Sequence, residues 1–209
     1  MKVILVNGSP NRNGCTATAL DAVAKSLNKE GIETESFWIG KQVAGCMACS
    51  KCAELGRCVF DDKVNEFTDM AASADGFVFG SPVYYSGMNG SLKGFMDRAF
   101  FSASSKEVNP FTLKPATSVT SARRAGTTTT VDQMIKYFMI TQMPVVSSRY
   151  WNMVHGNTPE EVLEDREGIQ IMEMLGRNMA WMLKSIASGR EAGIKLPEQE
   201  EIEFTNFVR

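Results

Sequence analysis

The sequence predicts a single α/β domain, a three-layer sandwich in which a five-stranded parallel sheet lies between two layers of helices. Short aliphatic runs alternate with amphipathic stretches along the chain, as successive strand–helix units require. Each run stops at a glycine, serine or proline turn. The length of 209 residues, 44% of them hydrophobic, supplies one core more readily than two.

Val3 to Val6 reads as a buried strand, stopped by Asn7-Gly8-Ser9-Pro10. From Thr16, the residues Ala19, Leu20, Ala22, Val23 and Leu27 recur at helical spacing, and Gly31 closes that helix before a strand from Glu33 to Trp38. A cysteine-rich insertion at about 40–62 and a helix near Val64 to Ala72 follow. The next strand, Gly76 to Gly80, passes through Ser81-Pro82 into a helix carrying Leu92, Phe95, Met96 and Phe100. Lys93 and the Asp97-Arg98 pair read as charges on its surface. A fourth strand is expected at Ala116 to Thr120, with Ser121 to Thr130 as its outgoing loop, and a fifth at Pro144 to Ser147. The last helix, Leu163 to Ile186, is amphipathic through Ile169, Met172, Leu175, Met179, Met182 and Leu183. No repeat, low-complexity tract or linker interrupts the pattern, so residues 1–209 form one domain.

A formal charge of -2 with no run of Lys or Arg argues against a nucleic-acid partner. The opening MKVILVNGSP is too short and too quickly turned to be a signal peptide, and no apolar stretch reaches membrane-spanning length. A cytoplasmic protein with no membrane partner is the expectation. Four of the five cysteines fall between Cys46 and Cys58, a clustering that suits chemistry better than a disulfide scaffold.

Ligands of open α/β sheets settle beyond the carboxyl ends of the strands, where the strand order reverses, so three loops must be read together. The first, Gly8 to Thr16, offers the hydroxyls of Ser9 and Thr16, the Arg12 guanidinium and the backbone N–H groups around Gly14 and Cys15 at a helix N-terminus. That suits a phosphate monoester, although an ordinary polar turn has the same composition. It is neither a P-loop nor a dinucleotide fingerprint. The second runs through Ser81, Pro82, Val83, Tyr84, Tyr85 and Ser86, a rigid turn with two phenols that could hold a planar ring such as a flavin. The third, with Arg123, Arg124 and Gly126, places two cations ahead of a helix, facing either solvent or an anionic ligand.

GSPNRNGCT followed by DGFVFGSPVYYSGMNGSLKGFMDR resembles the NADPH-dependent FMN reductase family of the flavodoxin-like superfamily, over most of the first 135 residues. The resemblance implies FMN as cofactor and NAD(P)H as electron donor. It places Ser9, Asn11, Thr16 and Ala17 near the FMN phosphate, and Pro82, Val83, Tyr84 and Tyr85, with Ser81, along the isoalloxazine. The family often has arginine directly after Ser-Pro and asparagine before the threonine. Asn11 and Cys15 stand there in this chain, and Arg12 supplies the charge instead.

Cys46, Cys49, Cys52 and Cys58 give the spacing C-x2-C-x2-C-x5-C, four soft sulfur donors able to converge on one centre. The arrangement resembles the compact motif of iron–sulfur flavoproteins, which implies a 4Fe-4S cluster. Zinc, which more often pairs two separated knuckles, and an empty loop are the alternatives. Cys15 reads as a small loop residue and His155, with no visible partner, as a structural or surface histidine.

The flavin would carry the redox chemistry, so no catalytic side chain is expected. Two functions follow from the resemblance. One is an FMN-dependent oxidoreductase passing electrons from NAD(P)H, or a reduced carrier, to a small acceptor such as a quinone. The other is an electron-transfer protein running from ferredoxin to cluster to FMN. Relatives of this family also imply a homodimer or homotetramer.

Overall fold

In the computed structural model, residues 1–203 and 205–207 are described. In chain order the elements are β1 (Lys2–Asn7), α1 (Cys15–Lys29), β2 (Glu33–Trp38), α2 (Cys52–Leu55), α3 (Lys63–Ala71), β3 (Gly76–Tyr84), β4 (Gly87–Met88), α4 (Gly90–Ala103), β5 (Ala116–Ala122), α5 (Thr127–Ile140), β6 (Met153–His155), α6 (Pro159–Glu164) and α7 (Arg166–Glu191). Five strands pair in parallel in the order β2-β1-β3-β5-β6, and β4 folds back antiparallel on the end of β3. The strand order reverses at β1, so the crevice beyond β1 and β3 is the topological switch point.

Alternation along β1 builds both layers. Val3 and Leu5 pack with α1 and α7, whereas Ile4 and Val6 face α3, α4 and α5. The second face is rich in phenylalanine: Phe67, Phe77, Phe79, Phe95, Phe100 and Phe111 are buried there, with the Phe100 and Phe111 rings stacked at 4.6 Å. On the first face, α1 and α7 approach closely at Gly176, where a Cβ would lie 2.6 Å from Ser26 Cβ. The Ser26 hydroxyl donates across this contact to the Glu173 carbonyl at 2.7 Å.

Four boundaries differ from the sequence expectation. The loop expected over Ser121 to Thr130 shrinks to residues 123–126, because Ser121 and Ala122 stay in the β5 ladder and α5 already starts at Thr127. β3 continues through Ser81 and Pro82, which pair with Thr120 and Ser121, so half of the anticipated loop is strand. The fifth strand is Met153–His155 and not Pro144 to Ser147, of which Val145 contributes an isolated bridge to Ala116. Pro144 has no N–H and serves the ladder only as an acceptor, from Ala116 N–H at 3.0 Å. After the excursion at 147–152, the Asn152 carbonyl resumes pairing by accepting from Thr120 N–H at 3.0 Å. The last helix begins at Arg166, because the Asp165 carboxylate accepts from Gly168 N–H at 2.9 Å and caps a new start, leaving Leu163 in α6.

Candidate functional site

The three loops meet. Gly8 N–H donates to the Gly80 carbonyl at 2.9 Å, and a side chain on Gly8 would lie 2.8 Å from that oxygen, so the first loop lies flat against the end of β3. The Asn89 carboxamide donates to the Gly8 carbonyl while its oxygen caps α4 by accepting from Leu92 N–H at 2.9 Å. Thr16 and Ser121 share a buried hydrogen bond of 2.8 Å between α1 and the end of β5. Gly126, at φ +99°, abuts Ser86, and the Thr129 hydroxyl donates to the Ser86 carbonyl at 2.8 Å.

Tyr85 and Ser86 form the two-residue turn between β3 and β4, with φ of 48° and 59°. Such hairpins require two left-handed residues, usually Asn or Gly, and a tyrosine there stores strain of the kind found at functional turns. Tyr85 is fully exposed and Tyr84 half exposed, so two phenols stand free at the mouth of the crevice.

The N-terminus of α1 opens into the same place. Its N-cap is Gly14, no side chain caps it, and its first turn carries no acid, so the N–H groups of the first turn are left for an incoming acceptor. Ser9 is buried beside it, and its hydroxyl accepts from Asn11 N–H at 3.1 Å. A phosphate fits this donor set.

Other expected residues lie to the side. Arg12 is turned over the ring of Trp38, 5.7 Å from its centroid, in a cavity on the β2 side that Ala17 and Asp21 also line. The Trp38 indole N–H donates to the Ser9 carbonyl at 2.8 Å, so this tryptophan, which carries no signal in the sequence, shapes the loop from beneath. The Cys15 thiol points to the Gly156 carbonyl at 3.8 Å, away from the other cysteines, and burial pushes its pKa up, with Glu161 and Glu160 adding to the rise. Arg123 and Arg124 are exposed. His155 does have a neighbour: Asp165 lies 3.8 Å from its Nδ1 and accepts from its backbone N–H at 2.7 Å.

A second cavity lies against α4. Cys46, Cys49, Cys52 and Cys58 all line it, together with Met47, Val59, Phe60, Arg98 and Phe101. No carboxylate or imidazole lines it, and beside the hydroxyls of Ser50 and Ser102 the four thiols dominate its donor set, the soft ligands that iron–sulfur centres take. Ala48 and Ser50, on either side of Cys49, have φ of 53° and 56°. Left-handed residues alternating with others turn successive N–H groups inward, a backbone shape suited to an anionic sulfur-rich centre. As placed, no three His, Cys, Asp or Glu side chains among the described residues are close enough to share one metal ion.

Arg98 overturns the surface expectation. Its side chain is 1% exposed, and it grips Asp62 through Nη1 and Nη2, both at 2.8 Å. Asp62 also caps α3, and Asn65 on that helix pins the turn at Cys58 through three hydrogen bonds. Lys93 and Asp97, by contrast, are the helix-surface charges the sequence suggested, and they pair at i,i+4.

Sheet order and crevice together define a flavodoxin-like redox protein. A flavodoxin from the domain Archaea superposes with a TM-score of 0.60 at 16% identity, covering 88% of this chain and 99% of that one. RosB, solved with bound 8-demethyl-8-formylriboflavin-5'-phosphate, gives 0.69 at 14% identity over 98% and 91%. The family model for NADPH-dependent FMN reductase matches residues 1–158. An iron–sulfur flavoprotein of Methanocaldococcus jannaschii is 32% identical over 197 residues, 89% of this chain and 99% of that protein. The chain therefore belongs to the NADPH-dependent FMN reductase family, FMN-binding oxidoreductases of the flavodoxin-like fold. Among the described residues no helix is long and apolar enough to cross a membrane.

Proposed function

We propose that this chain holds FMN in the crevice beyond β1, β3 and β5 and a 4Fe-4S cluster on Cys46, Cys49, Cys52 and Cys58, and passes electrons between a reduced donor and a small acceptor such as a quinone. The observation that carries it is the pairing of an uncapped α1 N-terminus, on the crevice whose second loop carries two exposed tyrosines, with four cysteines that line one cavity. The names of the curated relatives support the cluster.

FMN supplies the redox chemistry, one or two electrons at a time, when bound. The chain's own residues bind and orient it. First-turn N–H groups of Cys15, Thr16 and Ala17, with Ser9 and Asn11 beside them, hold the phosphate at the positive end of α1. Ser81 to Ser86 lay a rigid strand end and turn along the ring, and Gly126 lets the third loop close against Ser86. Arg123 and Arg124, both exposed to solvent, steer an anionic donor toward the crevice.

The donor divides two readings. A reduced carrier such as ferredoxin suits a cluster reached from the cysteine side, and the family description favours NAD(P)H. We infer a homodimer or homotetramer in either case; half-exposed Tyr150 and Trp151 offer apolar surface for it, and light scattering of the purified protein tests it.

The deciding experiment is anaerobic purification followed by an absorption spectrum and iron and zinc analysis. Flavin bands with about four irons per chain support the proposal. Flavin without iron reduces it to a flavin reductase with an unfilled cysteine loop, and zinc overturns the cluster. Cys49→Ala then separates the donors: NAD(P)H oxidation survives it, whereas ferredoxin-driven flavin reduction is abolished.

A further inference from the structure

The Arg98 guanidinium meets Asp62 end-on, through Nη1 and Nη2, and this leaves its Nε–H free of the ion pair. That donor is aimed at the Cys58 sulfur, 3.2 Å away. Nη1 also reaches the Ala44 carbonyl at 3.4 Å, on the arm that leads to Cys46. The Phe60 ring covers the group at 4.6 Å, so the cation is held dry against a sulfur. Asp62 alone would suffice to neutralise a structural arginine; the contact to sulfur is additional.

The backbone of Cys58 is fixed on both sides. Asn65 accepts from its N–H at 3.0 Å and donates to its carbonyl at 2.9 Å, and Asn65 is itself buried. Cys46 and Cys49 are exposed on the preceding arm. Cys52 is buried at the start of α2, where its carbonyl accepts from Gly56 N–H at 2.9 Å; Cys58 is the cysteine held by α3 and α4, and it is the one that carries a charged N–H donor.

We propose that Arg98 is the positioning residue of the cysteine centre: it fixes the Cys58 sulfur as the first anchor and raises the reduction potential of the cluster bound there. This rests on the cluster reading above. A cluster held there would become more negative by one unit overall on taking up one electron, with part of that charge on its sulfur ligands. An N–H···S bond from a guanidinium stabilises the more negative state more strongly, so it favours reduction. Lysine cannot reproduce the contact, because its single ammonium cannot hold both Asp62 oxygens and also present a separate donor to the sulfur.

The test is a redox titration of the reconstituted holoprotein, with dithionite supplying the electrons, on wild type, Arg98→Gln and Asp62→Asn. Iron content and bound flavin are measured on each. Arg98→Gln shifts the cluster midpoint to a more negative potential by at least a tenfold change in the reduced-to-oxidised ratio, about 59 mV for a one-electron couple. Loss of iron with flavin retained supports the anchoring role equally. Asp62→Asn keeps the α3 cap and the Nε–H on Cys58 but removes a negative charge, so it shifts the midpoint the other way. If Arg98→Gln does not fold, Asp62→Asn decides: a rise supports the inference and an unmoved or lowered midpoint overturns it. A full cluster with an unchanged midpoint in Arg98→Gln overturns the inference alone. Wild type that takes up no iron overturns the cluster reading and the inference with it.

Discussion

The crevice and the cysteine cavity are made rigid by different means. Loops at the crevice are tied largely by backbone and by side chains that satisfy backbone: Gly8 to Gly80, Asn89 to Gly8, Thr129 to Ser86. The arm at 40–49 lacks the backbone–backbone ties: among the described residues none of its backbone groups pairs with another backbone group. It is held by side-chain donors from α4, Ser91 to the Lys41 carbonyl and Arg98 to that of Ala44, both at 3.4 Å. A site built from backbone tolerates side-chain change and resists added volume. One built on a single ion pair, with only its arginine buried, does the reverse.

Asp62→Ala should therefore be the most damaging single change. It removes the α3 cap and leaves the buried Arg98 cation without its carboxylate, a combined loss of about 3 kcal/mol in unfolding free energy once screening at the part-exposed Asp62 is allowed for. Urea denaturation measures it, and a loss under ~1 kcal/mol would show that the cavity does not depend on the pair.

Gly8→Ala probes the opposite principle. The new methyl would lie 2.7 Å from Leu92 Cδ2 and 2.8 Å from the Gly80 carbonyl, and the carbonyl cannot move without disturbing β3. A stability loss of about 2 kcal/mol and a clear weakening of FMN affinity are expected, with iron content unchanged. Flavin fluorescence titration reads the affinity. Thr16→Val is milder. It leaves the buried Ser121 hydroxyl without its 2.8 Å partner, at a cost of about 1 kcal/mol, and weakens flavin binding less than the glycine change.

The same division explains what can be read from the sequence. Four of the five parallel strands, both helix layers and the places of the three loops follow from periodicity and glycine–proline punctuation, which are local signals. The four cysteines are visible through spacing alone. Arg98 is not: next to Asp97 and one turn after Lys93 it has the pattern of a surface charge, and only the return of residues 58–62 against α4 buries it. Trp38 is hidden likewise, since its partner Ser9 lies across the β1–β2 pair. The misplaced fifth strand has a local cause, as Val145-Val146 has strand composition but follows Pro144, and pairing passes to Met153-Val154 after the excursion.

Helix α4 joins the two regions. Its cap, Asn89, belongs to the crevice and Arg98 to the cavity, and nine residues at 1.5 Å each separate them by about 13 Å along the axis. The smallest predicted effect asks whether they can be uncoupled along that helix. The Tyr137 phenol on α5 donates to Asp97, the neighbour of Arg98, and burial first, then that hydrogen bond, lifts its pKa from 10.0 to about 12. Between those values the unfolded chain has released the phenol proton and the folded chain still holds it. The unfolded state then binds fewer protons, so stability falls as pH rises through the window. Tyr137→Phe removes this slope: wild type is the more stable at neutral pH, by about 1 kcal/mol or less, and its advantage shrinks from pH 10 to 12. Urea midpoints at neutral and alkaline pH measure this. FMN affinity should not change, because the Asn89 end of α4 is held independently by Gly8 and Ser81. A variant that also lost flavin would mean that the two regions respond as one body and that the contrast between them is only one of construction.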